Sequence, residues 1–525
     1  MLEQMTASRP VKTVLVTRLD ALGDIVLGTM LLWGLRAKWP TATIRLAVRP
    51  QFAAVSAILP DWVEVVVLPF DPRDPIAGHE PSLIAQLREF SQAAASDLVV
   101  VGEYNRSWAS EIIAATNGAE QVIAFDGPSA LGSQHRDICS ALNVGSTEKW
   151  FKIAADPDLR ESGKYQAMMA ALGIDGASIL PGLVLRYEDR LAAAALWEQV
   201  DVDCEGAIVC FPSSGAKGVR SFDPSVWNRW MGRLLLTRQV ILFGAAEDAP
   251  VLDAIEQRNM PEGVKRVMAP EGQIGVTAAF LERAGAYIGM DTGPMHIAAA
   301  LGRPTLGVFG GGHRADRFLP VGRRVATIRM PLGCYGCDWY CPFDRRLCIK
   351  DIPEWPLFEA GDAFLNDPPD NANPFSPRIY DVDPPSDLPA ALLGPVMRKH
   401  RQYLDLNHSL IEHHAYLARI NAEQQAKIAE LQASQAALGN QNHERGGDIV
   451  RLTEAVAEMT RHNQQRDAAI TGINQTLADM TRLNEGRDGA IHHINQTLAE
   501  MTRQNEARDT SIATLTKAQA APAHV

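Results

Sequence analysis

The turn Arg18-Leu19-Asp20-Ala21-Leu22-Gly23-Asp24 follows an apolar, β-branched run at 11–17 and opens a helical pattern that reaches about residue 38. A carboxylate at that turn sits at the carboxyl edge of a sheet, where open α/β folds gather their ligands, and could serve as a general base. Asp is also a frequent helix N-cap, so Asp24 has two readings, cap and base. Asp291-Thr292-Gly293-Pro294-Met295-His296 is sharper. An apolar run at 286–290 delivers it and a helix starts at once, with Pro294 suited to the first helical position. Backbone N–H groups at Thr292 and Gly293 and the positive end of the helix dipole would face a phosphate there, with Asp291 and His296 nearby.

The loop Pro212-Ser213-Ser214-Gly215-Ala216-Lys217-Gly218-Val219-Arg220 joins flexible backbone to the hydroxyls of Ser213 and Ser214 and the cations Lys217 and Arg220. This suits an anionic group, although a solvated surface turn would have the same composition. The Gly-x4-Gly-Lys-Ser/Thr spacing of a Walker loop is absent, and so is any Gly-x-Gly-x-x-Gly fingerprint. ATP hydrolysis and the usual nicotinamide binding therefore lose support. Four of the seven cysteines crowd into Cys334-x2-Cys337-x3-Cys341-x6-Cys348. Four thiolates can close a tetrahedral structural Zn or an Fe site; redox bridging and packed free thiols are the competing readings.

These residues need elements to hold them. Between 11 and 350 short β-branched runs alternate with amphipathic stretches, the pattern of βαβ units in a mostly parallel sheet. Strands are expected at 11–17, 43–48 and near 98–101, then at 207–211, 239–243, 286–290 and 305–309. Helices fall between the later strands near 224–237, 249–257 and 294–301, giving two doubly wound halves joined around 180–205. From Pro353 to Pro395 ten prolines occur in 43 residues, which reads as an extended connector.

Beyond the connector the composition changes. All ten Trp lie at or before Trp355, and Met459-Thr460-Arg461 recurs at Met480 and Met501, a spacing of 21 residues, or three heptads. Ile470, Ile473, Leu477, Met480, Ile491, Ile494, Leu498 and Met501 alternate in steps of three and four, the seam of a coiled coil. Polar layers interrupt it, with Asn463, Asn484 and Asn505 at a positions and Arg466, Arg487 and Arg508 at d positions. Self-association follows naturally, with breaks expected at Gly446, Gly447, Gly472, Gly486 and Gly489 because each glycine weakens a helix by about 1 kcal/mol.

The formal charge is −12 and no basic run occurs, so nucleic acid is excluded as a partner. No secretory signal is apparent, and the most apolar window, 25–35, is too short to span a bilayer. A cytoplasmic protein, in peripheral contact with the inner membrane at most, is expected.

The stretch 14–24, the loop 215–220 followed by Phe222 and Trp227, and the block from Asp291 to Ala300 together resemble glycosyltransferase family 9, the ADP-heptose:lipopolysaccharide heptosyltransferases. The likeness covers about residues 11–352. It implies a GT-B architecture, two Rossmann-like domains facing a cleft, followed here by the helical coiled coil. The expected boundaries are 1–185 for an acceptor domain, 186–352 for a nucleotide-sugar domain with the Cys cluster, 353–398 for the Pro-rich linker and 399–518 for the coil. By the resemblance Asp24 is the general base of an inverting, metal-independent transfer, and Ser214, Lys217, Arg220, Glu247, Asp291, Thr292, Gly293 and His296 hold the nucleotide sugar. Arg220 stands where family members commonly carry Lys; it can clamp phosphate but cannot give up a proton. Glu247 resembles the residue that contacts the ribose, and a first-turn helix acid would look alike.

The implied partners are a nucleotide-diphosphate sugar, a glycan or glycolipid acceptor and further copies of the chain. No cofactor is required for transfer, with structural Zn or Fe reserved for the Cys cluster. Two other functions fit the same residues: a sugar-nucleotide epimerase or hydrolase, and a non-catalytic scaffold whose rod recruits partners.

Overall fold

The computed structural model describes residues 10–74, 81–127, 149–156, 158–214, 221–312, 317–332, 334–336, 346–385, 420–421, 423–434 and 446–519. The chain forms two compact units, Met1–Cys341 with Arg345–Pro385, and Pro342–Asp344 with Ser386–Val525.

The first unit contains two parallel sheets. In one, β1 (Thr13–Thr17), β2 (Thr43–Val48), β3 (Val63–Val67), β4 (Leu98–Val101), β5 (Gln121–Phe125) and β6 (Trp150–Ile153) lie in the order β3-β2-β1-β4-β5-β6. In the other, β7 (Ala207–Phe211), β8 (Gln239–Gly244), β9 (Lys265–Met268), β10 (Ala286–Met290), β11 (Thr305–Phe309), β12 (Val325–Arg329) and β13 (Arg378–Asp381) lie in the order β13-β12-β11-β10-β7-β8-β9. Every pairing is parallel. The central strands β4, β7, β10 and β11 are buried along their whole length, as expected of sheets covered by helices on both faces.

Each sheet changes direction once. In the first the reversal lies between β1 and β4, and in the second between β10 and β7. A crevice opens at the carboxyl ends of the strands at such switch points. The turn carrying Asp24 leaves β1, and the block starting at Asp291 leaves β10. Topology alone thus puts both motifs at ligand-binding edges.

Helix Leu22–Lys38 is buried on most of its surface, packed against helix Glu161–Ala171 and helix Gly293–Ala300. The segment between the halves is pinned to it: the Gly182 amide donates to Thr29 Oγ1 at 3.0 Å and Trp33 Nε1 donates to the Gly182 carbonyl at 3.1 Å. Helix Tyr187–Val200 then joins the second sheet, where Trp197 stacks on Phe280 with centroids 4.2 Å apart.

The extended connector expected over 353–398 needs correcting for its first part. Helix Glu354–Asn366 packs on helix Pro224–Leu234, and β13 adds an edge strand to the second sheet. The prolines allow this by position. Pro356 lies in the first helical turn, where an N–H has no intrahelical partner to lose, and Pro368 and Pro369 follow the helix end. Pro377 immediately precedes the edge strand.

In the second unit, residues 423–434 are helical and helix Gly446–Gln519 runs 74 residues without interruption, about 110 Å at 1.5 Å per residue. The breaks expected at its glycines do not occur. Helix propagation is cooperative, so isolated penalties near 1 kcal/mol are absorbed, and open space surrounds Gly472 and Gly486. Among the described residues, no helix is long and apolar enough to cross a membrane.

Candidate active site

Arg18, Asp20, Asp24, Arg73, Tyr104 and Asn105 from the first half share a cavity of about 470 Å³ with Asp291, Thr292, Gly293, His296, Arg317 and Phe318 from the second, and with Glu161 of the helix between them. The two helix N-termini approach closely at its floor. A Cβ on Gly23 would lie 2.6 Å from His296 Cδ2, and one on Gly293 would lie 2.6 Å from Leu22 Cδ2. Glycine at both positions is therefore what lets the turn bearing Asp24 meet the turn that starts at Asp291. Thr292 caps helix Gly293–Ala300 in an extended conformation without a side-chain bond to its first turn. Two positive helix ends thus address one cavity.

Asp24 takes the third position of its helix, not the cap. Its Oδ2 accepts the Ala21 amide at 3.1 Å, and its Oδ1 accepts Arg18 NH2 at 3.0 Å. The N-cap reading is thus corrected: Ala21 holds the cap position, and Asp24 reaches back to its amide through one oxygen while the carboxylate still lines the cavity. Beneath it Glu103, fully enclosed, accepts Thr17 Oγ1 at 2.8 Å, the Leu19 amide at 2.7 Å and Ser110 Oγ at 3.0 Å, tying the end of β1 to the end of β4. Burial, reinforced by Asp20, raises the Glu103 pKa. Arg106 pairs with Glu111 at 2.7 Å in the interior, so it supports the fold and does not line the cavity.

Sequence reasoning does not reach the charge network around Asp24. Glu161 accepts Lys164 Nζ at 2.9 Å and Arg317 Nε at 3.0 Å, with Arg18 at 3.7 Å. Burial alone would raise the Glu161 pKa, but Arg18, Lys164 and Arg317 together hold it below the usual range. Asp20 goes the other way: burial dominates, Arg18 opposes it and Asp24 adds to it, so its pKa rises. Only Arg18 and Asp20 had a local signal, two charged residues directly after an apolar strand. Glu161 and Arg317 are 156 positions apart and nothing near either one marks it.

His296 is 5% exposed and its Nδ1 has no partner among the described residues. Burial lowers its pKa from 6.5 to about 4, so at neutral pH the ring is uncharged and offers hydrogen bonds only. Ser214 is buried beside Ser213 at the end of β7, outside the cavity lining. Glu247 is exposed on a short 3₁₀ turn, and the acid turned inward there is Asp248, which accepts the Ala245 amide at 2.9 Å. Lys217 and Arg220 lie outside the described residues, as do Cys337 and Cys341. Cys348 is buried and accepts the Gly311 amide at 3.2 Å, while Cys334 is half-buried. Among the described residues there is no group of three or more metal-ligating side chains.

Residues 107–341 match the family model for glycosyltransferase family 9 (heptosyltransferase). The two-lobed unit is a glycosyltransferase of GT-B fold. The glycosyl transferase family 9 structure from Veillonella parvula superposes with a TM-score of 0.53 at 18% identity, covering 68% of this chain and 97% of that one. The ADP-heptose lipopolysaccharide heptosyltransferase II of E. coli gives 0.46 at 17% identity, covering 68% and 98%. A search of curated proteins found no match. The family match begins after β4, so it leaves out the turn bearing Asp24, whereas the cavity between the two halves includes it.

Proposed function

We propose that this chain is an inverting, metal-independent glycosyltransferase that moves a sugar, heptose in the first instance, from a nucleotide diphosphate to a bacterial surface glycan such as lipopolysaccharide. One observation carries the reading: the Asp24 carboxylate and the open helix end at Thr292 and Gly293 line the same cavity from opposite halves of the fold.

Asp24 would take the proton of an acceptor hydroxyl as its oxygen attacks the anomeric carbon. The bond from that carbon to the diphosphate breaks on the opposite face, which inverts the configuration. A nucleotide diphosphate leaves without protonation, so the second need is charge stabilisation. The Thr292 and Gly293 amides, the helix dipole and a cation from the Lys217–Arg220 loop would supply it, the source of metal independence. Asp291 and neutral His296 would position the donor within the cavity, and Ser214 and Glu247, which lie outside its lining, would meet the nucleoside end. A membrane-tethered acceptor would make the protein peripheral at the inner membrane. The four cysteines from Cys334 to Cys348 would hold a structural Zn or Fe apart from the reaction, and the seam from Ile470 to Met501 would join copies of the chain.

A thermal-shift panel of ADP-, UDP-, GDP- and CDP-sugars tests the reading, because a ligand that binds only the folded state raises its melting temperature. One nucleotide sugar should stabilise the chain and then transfer its sugar to an added glycan. Release of nucleotide or epimer formation at full rate without acceptor would favour an epimerase or hydrolase instead. No stabilisation by any member would overturn the reading.

A further inference from the structure

Arg18 is the most enclosed cation in the cavity wall, with its side chain 3% exposed. It stands at the carboxyl end of β1, and NH1 donates to the Gly102 carbonyl at 2.7 Å, just past the end of β4. The guanidinium is a rigid planar fork, so fixing NH1 on backbone also fixes where NH2 points. NH2 meets Asp24 Oδ1 at 3.0 Å, nearer than Asp20 at 3.4 Å or Glu161 at 3.7 Å. Glu161 is already engaged by Lys164 and Arg317, and Asp20 by Arg73 at 3.3 Å. The rival carboxylates are thus occupied elsewhere. The face of Tyr165 supports the guanidinium, with its centroid 5.4 Å away.

We propose that Arg18 is a positioning residue for Asp24, holding the carboxylate in the single orientation in which its remaining lone pairs face the acceptor hydroxyl. The inference rests on the glycosyl-transfer reading and adds to it. Two anchors set that orientation, the Ala21 amide on Oδ2 and the Arg18 fork on Oδ1. Arg18 is the one of the two that can be changed without altering backbone. Permanent charge suits this task and excludes proton transfer by Arg18 itself. A lysine at 18 would keep the charge but could not bridge Gly102 and Asp24 in one plane.

The test compares Arg18→Met and Arg18→Lys in the full chain, following sugar transfer from ADP-heptose to a deacylated lipopolysaccharide core. Loss of carboxylate orientation should lower kcat about 10- to 100-fold. Donor KM should stay within about twofold, since donor contacts are made by the other half. Arg18→Lys should recover part of the kcat, and so should guanidinium added to Arg18→Met below denaturing concentration. Should Arg18→Met fail to fold with buried carboxylates left unpaired, Arg18→Lys carries the comparison, and wild-type kcat in that variant overturns the proposal. Equal losses in kcat and donor binding, with no recovery by lysine or guanidinium, also overturn it. Asp24→Asn separates the two ideas. Absence of transfer by the unaltered chain defeats the transfer reading itself, wild-type transfer by Asp24→Asn removes Asp24 as the base, and an inactive Asp24→Asn beside Arg18 variants that turn over at the wild-type rate defeats only the role of Arg18.

Discussion

Two side chains at the cavity floor are tuned in opposite senses by the same burial. His296 is held neutral, while Glu161 stays ionised because three cations outweigh its desolvation. The His296 shift has a consequence for stability. Its folded pKa lies near 4 and its unfolded value is 6.5, so between these the unfolded chain binds a proton that the folded chain refuses. Stability contributed by this site is complete above pH 6.5 and is lost as pH falls toward 4. His296→Gln should therefore flatten the fall in melting temperature across that window, measured by scanning calorimetry at a series of pH values. An equally steep fall would show that other groups set acid stability. At the Cys cluster the expectation is a stoichiometric transition metal in purified protein that Cys348→Ser loses, read by elemental analysis. Metal-free protein with four free thiols would leave packing as the role of these cysteines.

At the scale of elements the decisive feature is the meeting of helix Leu22–Lys38 with helix Gly293–Ala300. Gly23→Ala places a methyl 2.6 Å from the His296 ring, which is closed in and has little freedom to retreat. The expected cost is about 1–3 kcal/mol of stability, with transfer falling further because the helix ends separate. Urea denaturation together with a transfer assay would check it, and full activity at unchanged stability would contradict the packing described. Both turns were legible in the sequence because they are local: an apolar strand, a glycine and the start of a helix all lie within a few residues. The contacts that tune them were not. Glu161, Lys164 and Arg317 come near Asp24 only through the fold. The segment after Pro353 departs from an extended connector for the converse reason: the number of prolines is legible locally, whereas their effect depends on position, and the first turn of a helix tolerates Pro356.

At the scale of the molecule, a GT-B glycosyltransferase unit is followed in the chain by a helix whose sequence repeats every 21 residues. Its seam residues Ile470, Ile473, Leu477 and Met480 are half-buried within one chain, and Met501 is 56% exposed. Asn463 is 2% exposed and its carboxamide has no partner among the described residues, the kind of buried polar layer that fixes register in coiled coils. Full-length protein should accordingly sediment as an oligomer, and Leu477→Asp should lower its mass toward the monomer. An unchanged mass would assign the seam another role. The central claim concerns the cavity, and Asp24→Asn tests it most directly. Binding of ADP-heptose by titration calorimetry and transfer to a lipopolysaccharide core should be measured on the same preparation. The account expects wild-type donor affinity with transfer reduced to background. Transfer at the wild-type rate would contradict it.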